Sequence, residues 1–378
     1  MDFTLTDEQR AIAELAHRIL SEQLPADRLR EIEQTDAWFA DDVWAALGQA
    51  DLLGIALPEA DGGGGYGILE ACLIAEQVGR TVAPVPYLAS IVGSAMPIAR
   101  FGSDGQRKQL LPGVIAGAAT LAVALYEPTD IDVPSIPTTQ ATADGDGWRL
   151  DGEKSLVVGA DRATTILVPA RTSESSYAVF LVAPDAPGVQ LTREHAVNGE
   201  PQWTIRLDGA RVDSDGRLGG LEQGAEILAW TTDRLAAAIC AAQTGVCEEA
   251  LAITARYVSE REQFGSKLGT FQAVGQRVAD AYIDTEAIRL TGLQAAWRLS
   301  EELDAHDELM TAKFWAAEGA QRVVHAAQHL HGGIGVDLDY PIHRYFRWAK
   351  VLELTLGGAS PSLRRLGASL ATQPVGGG

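Results

Sequence analysis

Cysteine is scarce in this chain of 378 residues: Cys72, Cys240 and Cys247 are all there is, an odd number with no Cys-x-x-Cys pair. That excludes a disulfide framework, and no metal site is expected. All three lie in Ala/Leu/Ile-rich, helix-like stretches and read as small buried thiols in a reducing compartment. Positive charge is short as well. Lys and Arg number 30 against 51 Asp and Glu, a net charge of −21. The balance argues against nucleic acid, whose binding needs a basic face, and against an anionic membrane surface. An acidic chain must hold a phosphorylated ligand through a few placed Arg, Lys and backbone N–H groups rather than through its overall field. No basic-then-apolar leader opens the chain, and no run of about 18 uncharged apolar residues occurs, so the expected location is the cytoplasm.

A dinucleotide-binding Gly-x-Gly-x-x-Gly after a strand is missing too. The one dense glycine run, Gly62 to Gly65, has no strand before it and no Lys-Ser/Thr after it, so it reads as a loop and not as a phosphate cradle. What the chain does have is an ordinary 46% of hydrophobic residues, enough to fill the two or three domains its length suggests.

The hydrophobic period divides the chain into three blocks. Thr6 with Gln9 forms a capping box, and Ile12, Leu15, Ile19 and Leu20 then follow at helical spacing. Further helices are predicted over 41–53, 67–78, 89–101 and 103–115. Strand-like runs take over at 120–126, 164–168, 177–182 and 203–207. Asp151-Gly152 between Trp148-Arg149-Leu150 and Ser155-Leu156-Val157-Val158 reads as a two-residue hairpin turn, with Asp144-Gly145 and Asp208-Gly209 as further strand separators. Helix returns near Ala225 and continues through 271–299 and 307–331 almost to the end; the glycines at 376–378 are expected to fray. The expectation is an α+β chain: an N-terminal α-helical domain (1–118), a middle β-barrel-like domain (119–222) and a C-terminal four-helix bundle (223–378).

Two segments carry more than composition does. One is Tyr257-Val258-Ser259-Glu260-Arg261-Glu262-Gln263-Phe264-Gly265, with Phe271-Gln272-Ala273-Val274 close behind. The other is His331-Gly332-Gly333-Ile334-Gly335, followed by Tyr340-Pro341-Ile342-His343-Arg344. A guanidinium is a natural partner for a pyrophosphate, Gln272 can donate and accept, and paired glycines let backbone approach a bulky ligand. Taken alone, Arg261 reads as a solvated helix-end charge, and Gly332-Gly333 reads equally well as a helix C-cap. Together the segments, in this block order over nearly the whole chain, resemble the acyl-CoA dehydrogenase family. The resemblance implies FAD as cofactor, an acyl-CoA substrate, electron-transfer flavoprotein as the usual acceptor, and assembly as a dimer or tetramer. It also implies that Arg261, Gln263, Phe264, Phe271, Gln272, Gly332 and Gly333 cross an interface to hold a neighbour's FAD. The family's glutamine three places before the diglycine is His329 here, with Gln328 one step earlier; either can serve.

The chain departs from the family elsewhere. Counting on from the diglycine, the place of the glutamate that takes the substrate's α-proton falls on Leu356, which accepts no proton. Glu353 nearby reads as a surface carboxylate. In members with the base early in the first C-terminal helix, the place falls near Leu235, with Asp233 as a weak stand-in. The flavin-lining segments of the middle domain read Tyr126-Glu127-Pro128-Thr129-Asp130-Ile131-Asp132 and Lys154-Ser155-Leu156-Val157-Val158, without the family's glycine, serine, tryptophan and threonine. Losing contacts to its own flavin while keeping those made across the interface resembles the base-less subunit of heteromeric α2β2 acyl-CoA dehydrogenases of bacterial steroid side-chain degradation. The implied partner is a homologous subunit. The competing readings are a self-sufficient homo-oligomeric dehydrogenase with a non-standard base, and a non-redox acyl-CoA-binding or assembly protein.

Overall fold

The computed structural model describes residues 4–128 and 132–372. The glycines at 376–378, and Thr129, Asp130 and Ile131 of the acidic segment, lie outside the described residues. The order of elements is α1 (Asp7–Gln23), α2 (Ala26–Glu33), α3 (Asp41–Gln49), α4 (Ile68–Arg80), a π-helix (Leu88–Ala95), α5 (Met96–Phe101) and α6 (Asp104–Ile115). Eight strands follow: β1 (Thr120–Val123), β2 (Gln140–Asp144), β3 (Gly147–Val158), β4 (Ala163–Arg171), β5 (Tyr177–Val182), β6 (Val189–His195), β7 (Pro201–Val212) and β8 (Arg217–Leu218). Then come α7 (Gly224–Glu260), a small hairpin of β9 (Glu262–Gln263) and β10 (Ser266–Lys267), and α8 (Gln272–Ser300), α9 (His306–His331), α10 (Ile342–Leu354) and α11 (Ala359–Thr372). The fold is α+β in the expected block order. By packing it groups into two units, one of Glu31–Ala71 and Pro84–Leu235, the other of Met1–Arg30, Cys72–Ala83 and Ala236–Gly378.

The first helix starts as its sequence predicts. Thr6 Oγ1 accepts from the Gln9 N–H at 3.2 Å, and Gln9 Oε1 accepts from the Thr6 N–H at 3.0 Å, so two orphan donors are satisfied reciprocally. The helix predicted over 41–53 stops earlier, at Gln49, because Asp51 takes a left-handed φ of 59° and ends the run. The glycine run is a structural loop: Gly62 and Gly65 have φ of 87° and 72°, and a Cβ on Gly63 would lie 2.3 Å from the Leu57 carbonyl oxygen.

In the unit containing the strands, the sheet runs β6-β7-β3-β2-β4-β5-β8, with β1 parallel alongside β4. Leu150, Ile166, Phe180, Trp203, Ile205 and Val212 fill its core. Two predicted turns are not turns. Asp151-Gly152 lies inside β3, a continuous strand of 12 residues, and Asp208-Gly209 lies inside β7. The register of β3 on β7 shifts between Leu150 and Gly152. Gly152 has φ 148°, and a Cβ there would meet Thr139 Cα at 2.8 Å. Both glycines mark irregularities within long strands, the other common meaning of an interior glycine. The tight reversal is at Asp144-Gly145-Asp146-Gly147, between β2 and β3, which pair antiparallel. Of the strands longer than two residues, β2 and β6 escaped prediction. Their mostly exposed, polar faces, Gln140–Asp144 and Val189–His195, give little apolar alternation.

Helix α7, most of which lies in the other unit, is long and apolar enough to cross a membrane by length and composition, but 72% of its most apolar window is buried inside the protein, the mark of a core helix. Cys72, Cys240 and Cys247 are buried and outside any disulfide, and burial pushes the Cys240 thiol up to about 11, which leaves it inert. The tightest packing is where α4 meets α7. A Cβ on Gly79 would lie 1.9 Å from the Ala242 carbonyl oxygen, and one on Gly245 would lie 1.9 Å from that of Glu76. Backbone touches backbone there, so neither glycine has room to give. Gly245→Ala is therefore expected to lower stability by at least about 1–3 kcal/mol. Gly367→Ala on α11, where an added Cβ meets nothing within 4 Å, should be neutral or gain roughly 0.5–1 kcal/mol. Unfolding midpoints in denaturant compare the two, and equal midpoints would contradict the close crossing.

Candidate functional site

The residues predicted to grip a cofactor all fall in the second of these units, on the surface where α7 ends and α9 ends. The last turn of α7 closes with the Arg261 N–H on the Tyr257 carbonyl at 2.8 Å. The chain then makes a two-stranded arm, Gln263 against Ser266 and Glu262 against Lys267. Its turn is Phe264-Gly265, with φ of 57° and 75°; two successive left-handed residues make the primed turn that suits a tight hairpin. Leu268 N–H returns to the Arg261 carbonyl at 2.8 Å and seals the base of the arm. The arm stands away from its own protein. Phe264 is 93% exposed, touched edge-on by Phe271 at 6.3 Å between ring centres. Arg261, Gln263 and Gln272 are exposed too, and Phe271 forms the N-cap of α8 without a side-chain cap bond. A phenyl ring so bare in a left-handed residue buries almost none of its surface within this chain.

The second element is the turn after α9. Gly332 has φ 61° and ψ −137°, a conformation essentially restricted to glycine. Gly333 has no such constraint. At both positions an added Cβ would meet nothing within 4 Å. Internal packing thus gives no reason for glycine at 333, and the space above it is open to a ligand.

These two elements are joined by residues that lie within the two motifs but carried no predicted role. Tyr257, one turn before the arm, stacks on His331 with ring centres 4.5 Å apart and planes at 26°. His331 Nδ1 lies 2.7 Å from the Ala327 carbonyl and Nε2 lies 3.2 Å from the Tyr340 hydroxyl. The carbonyl can only accept, so Nδ1 carries the proton and Nε2 accepts from Tyr340. Burial holds the His331 pKa below its ordinary value, which favours this neutral form. The stack fixes the arm's root and the diglycine turn to one another. Its signal in the sequence was Tyr257 at the head of the first motif and His331 and Tyr340 on either side of the glycines of the second.

The two candidates at the glutamine position separate. Gln328 turns inward: its Nε2 donates to the Gly335 carbonyl and its Oε1 is buried without a partner. His329 is exposed and bonds through Nδ1 to Arg277 of α8. His329 is therefore the one that faces outward.

The positions counted as the base site look different. Leu356 is 6% exposed with φ 60°, followed by Gly357 at φ 87°. The loop is held from below by Lys313, whose Nζ donates to the carbonyls of Leu352 and Glu353 at 3.0 and 2.9 Å. Burial brings the Lys313 pKa down to about 8. Glu353 is engaged by Lys350 at 2.6 Å. In the strand-containing unit, Asp233 is half-buried on α7 near the buried Leu235. Leu156 there is 47% exposed at a left-handed φ of 56°, on a register shift between Lys154 and Val157. Lys154 beside it is completely buried and pairs with Glu127 at 2.8 Å. Glu127 also accepts from the N–H and hydroxyl groups of Thr138 and Thr139. Burial alone would raise the Glu127 carboxyl, but the Lys154 charge and these bonds hold it down at about 2.

The open glycine turn, the exposed guanidinium of Arg261 and the outward donors of Gln272 and His329 form a surface suited to a phosphorylated, planar ligand. Known proteins resemble the chain along most of its length. The families described as "Acyl-CoA dehydrogenase, N-terminal domain", "middle domain" and "C-terminal domain" match residues 6–118, 122–210 and 222–370. "Acyl-CoA dehydrogenase FadE27" of Mycobacterium tuberculosis is 40% identical over 383 residues, covering 99% of this chain and 100% of that protein. Among solved structures, the ChsE4-ChsE5 complex from Mycobacterium tuberculosis matches at 40% identity and a TM-score of 0.92, covering 99% of this chain and 100% of that one. A variant of the Tcur3481-Tcur3483 steroid ACAD matches at 43% identity and a TM-score of 0.90, covering 97% and 99%.

Proposed function

The chain belongs to the acyl-CoA dehydrogenase family, and from that premise we propose that it is the subunit of a heteromer that completes a partner's FAD site and supplies no base of its own. The family's enzymes are oxidoreductases that use FAD, which when bound takes the hydride from the substrate while a carboxylate takes the α-proton. In this reading Arg261 neutralises phosphate charge on the partner's cofactor. Gln263 and Gln272 contribute hydrogen bonds, Phe264 and Phe271 cover apolar surface, and Gly332 and Gly333 let the cofactor lie against backbone. The Tyr257–His331–Tyr340 stack holds these parts in register. Leu356, buried at the counted base position, takes no proton. The partner is a homologous acyl-CoA dehydrogenase subunit that carries the glutamate. Likeness to the Tcur3481-Tcur3483 steroid ACAD supports a bulky, ring-bearing acyl-CoA thioester as substrate.

The observation that carries this reading is the contrast between two places. A bare arm and an open diglycine turn await something outside the chain, while the base position is a buried leucine whose neighbouring carboxylate is already paired. Purification tests it. The chain alone is expected to be colourless and without dehydrogenase activity. Purified together with a homologous glutamate-bearing family subunit, it should yield a yellow complex that desaturates acyl-CoA. A yellow, active preparation of the chain alone would overturn the proposal in favour of a self-sufficient enzyme.

A further inference from the structure

Helices α8 and α9 lie side by side, and two cation contacts join them seven residues apart. At the inner one, Asp284 of α8 grips Arg322 of α9 through two bonds of 2.8 and 2.6 Å, and Glu318 adds a third carboxylate oxygen at 3.2 Å. At the outer one, next to the diglycine turn, the partners are Arg277 and His329. Neither side chain forms an ion pair with a carboxylate among the described residues, although Asp280 lies three residues on along α8, and both side chains are exposed. A guanidinium only donates, so the imidazole accepts through Nδ1 and keeps its proton on Nε2. The pair therefore presents nothing but donors: the remaining N–H groups of Arg277 and the Nε2–H of His329. In a chain of net charge −21, where the neighbouring arginine is held by two acids, an arginine set against a neutral imidazole is conspicuous. One helical turn away, Gly332 and Gly333 have open space above them.

We propose that Arg277 and His329 together form a second anion grip, which binds a phosphate oxygen of the FAD held by the partner subunit. The proposal rests on the reading that this surface completes a partner's FAD site, and it adds a contact outside the two motifs. Arg277 supplies the charge and the fork. His329, in place of a glutamine, orients that fork and adds one donor.

The test uses the assembled complex of this chain with its glutamate-bearing partner. Four forms of this chain are compared: wild type, Arg261→Gln, Arg277→Gln and His329→Phe. FAD affinity is read by flavin fluorescence during titration of the stripped complex, and assembly by size exclusion. A lost charge-assisted bond lowers affinity on the order of tenfold. Arg277→Gln is expected to show that loss, with weaker dependence of affinity on salt, and His329→Phe a loss of several-fold, with assembly intact. Wild-type affinity in Arg277→Gln alongside a clear loss in Arg261→Gln would overturn the grip and leave the wider reading standing. Wild-type affinity in all three variants would overturn the wider reading as well. If Arg277→Gln prevents assembly, His329→Phe decides, and unchanged FAD affinity there overturns the proposal.

Discussion

Valine in place of Gly333 is expected to strip flavin from the assembled complex while leaving this chain folded. A side chain at 333 meets no atom of its own protein within 4 Å, and the residue is not left-handed, so the fold has no reason to notice the change. A cofactor lying on the glycine has to move away by the thickness of the added methyl groups. We expect FAD affinity to fall at least about tenfold, the equivalent of roughly 1.4 kcal/mol. Gly332→Val is the instructive companion. Its φ of 61° and ψ of −137° cost a non-glycine residue on the order of 1–3 kcal/mol, so that variant should lose both stability and flavin. Thermal unfolding of the chain and flavin absorbance of the complex separate the two. Full flavin content in Gly333→Val would mean that nothing lies against the turn.

Lys154→Met is expected to be the most destabilising single change in the sheet. It leaves the Glu127 carboxylate buried without its counter-charge, and both side chains are completely inaccessible. Breaking a buried pair from one side costs about 3–5 kcal/mol. The exposed pair of Arg149 and Asp144 provides the contrast, since Arg149→Met is expected to cost less than about 1 kcal/mol. The pH dependence has a definite sign. The Glu127 pKa falls from 4.5 in the unfolded chain to about 2 in the fold. Its contribution is therefore complete above pH 4.5 and is lost as the pH drops towards 2. Wild-type protein should weaken more steeply over that window than Glu127→Gln, as denaturant titrations at successive pH values would show.

This pair also shows where the sequence speaks and where it does not. The segments around Glu127 and Lys154 stand out in the sequence for the hydroxyl, indole and glycine they lack, and not for the salt bridge they share. Two charges 27 residues apart meet only after β3 has formed alongside its neighbours. Helices were the most legible elements, since capping pairs such as Thr6 with Gln9 and the apolar repeat after them are local signals. Hairpin turns were less so. Asp-Gly is equally at home in a turn, as at Asp144-Gly145, or within a long strand, as at Asp151-Gly152 and Asp208-Gly209, and only the pairing of β3 with β7 distinguishes them. At the candidate site, the arm and the diglycine were visible as motifs. Which of Gln328 and His329 faces outward depends on the phase of the last turn of α9 against Gly335, which spacing alone does not fix. The Arg277–His329 contact, between residues 52 apart, required the packing of two helices.

The flavin count of the purified heteromer, from absorbance and total protein, tests the division of labour between the subunits most directly. If this chain lends its arm to a partner and holds no cofactor of its own, the complex carries one FAD for every two polypeptides. One FAD for each polypeptide would contradict it, because this chain would then hold a cofactor of its own.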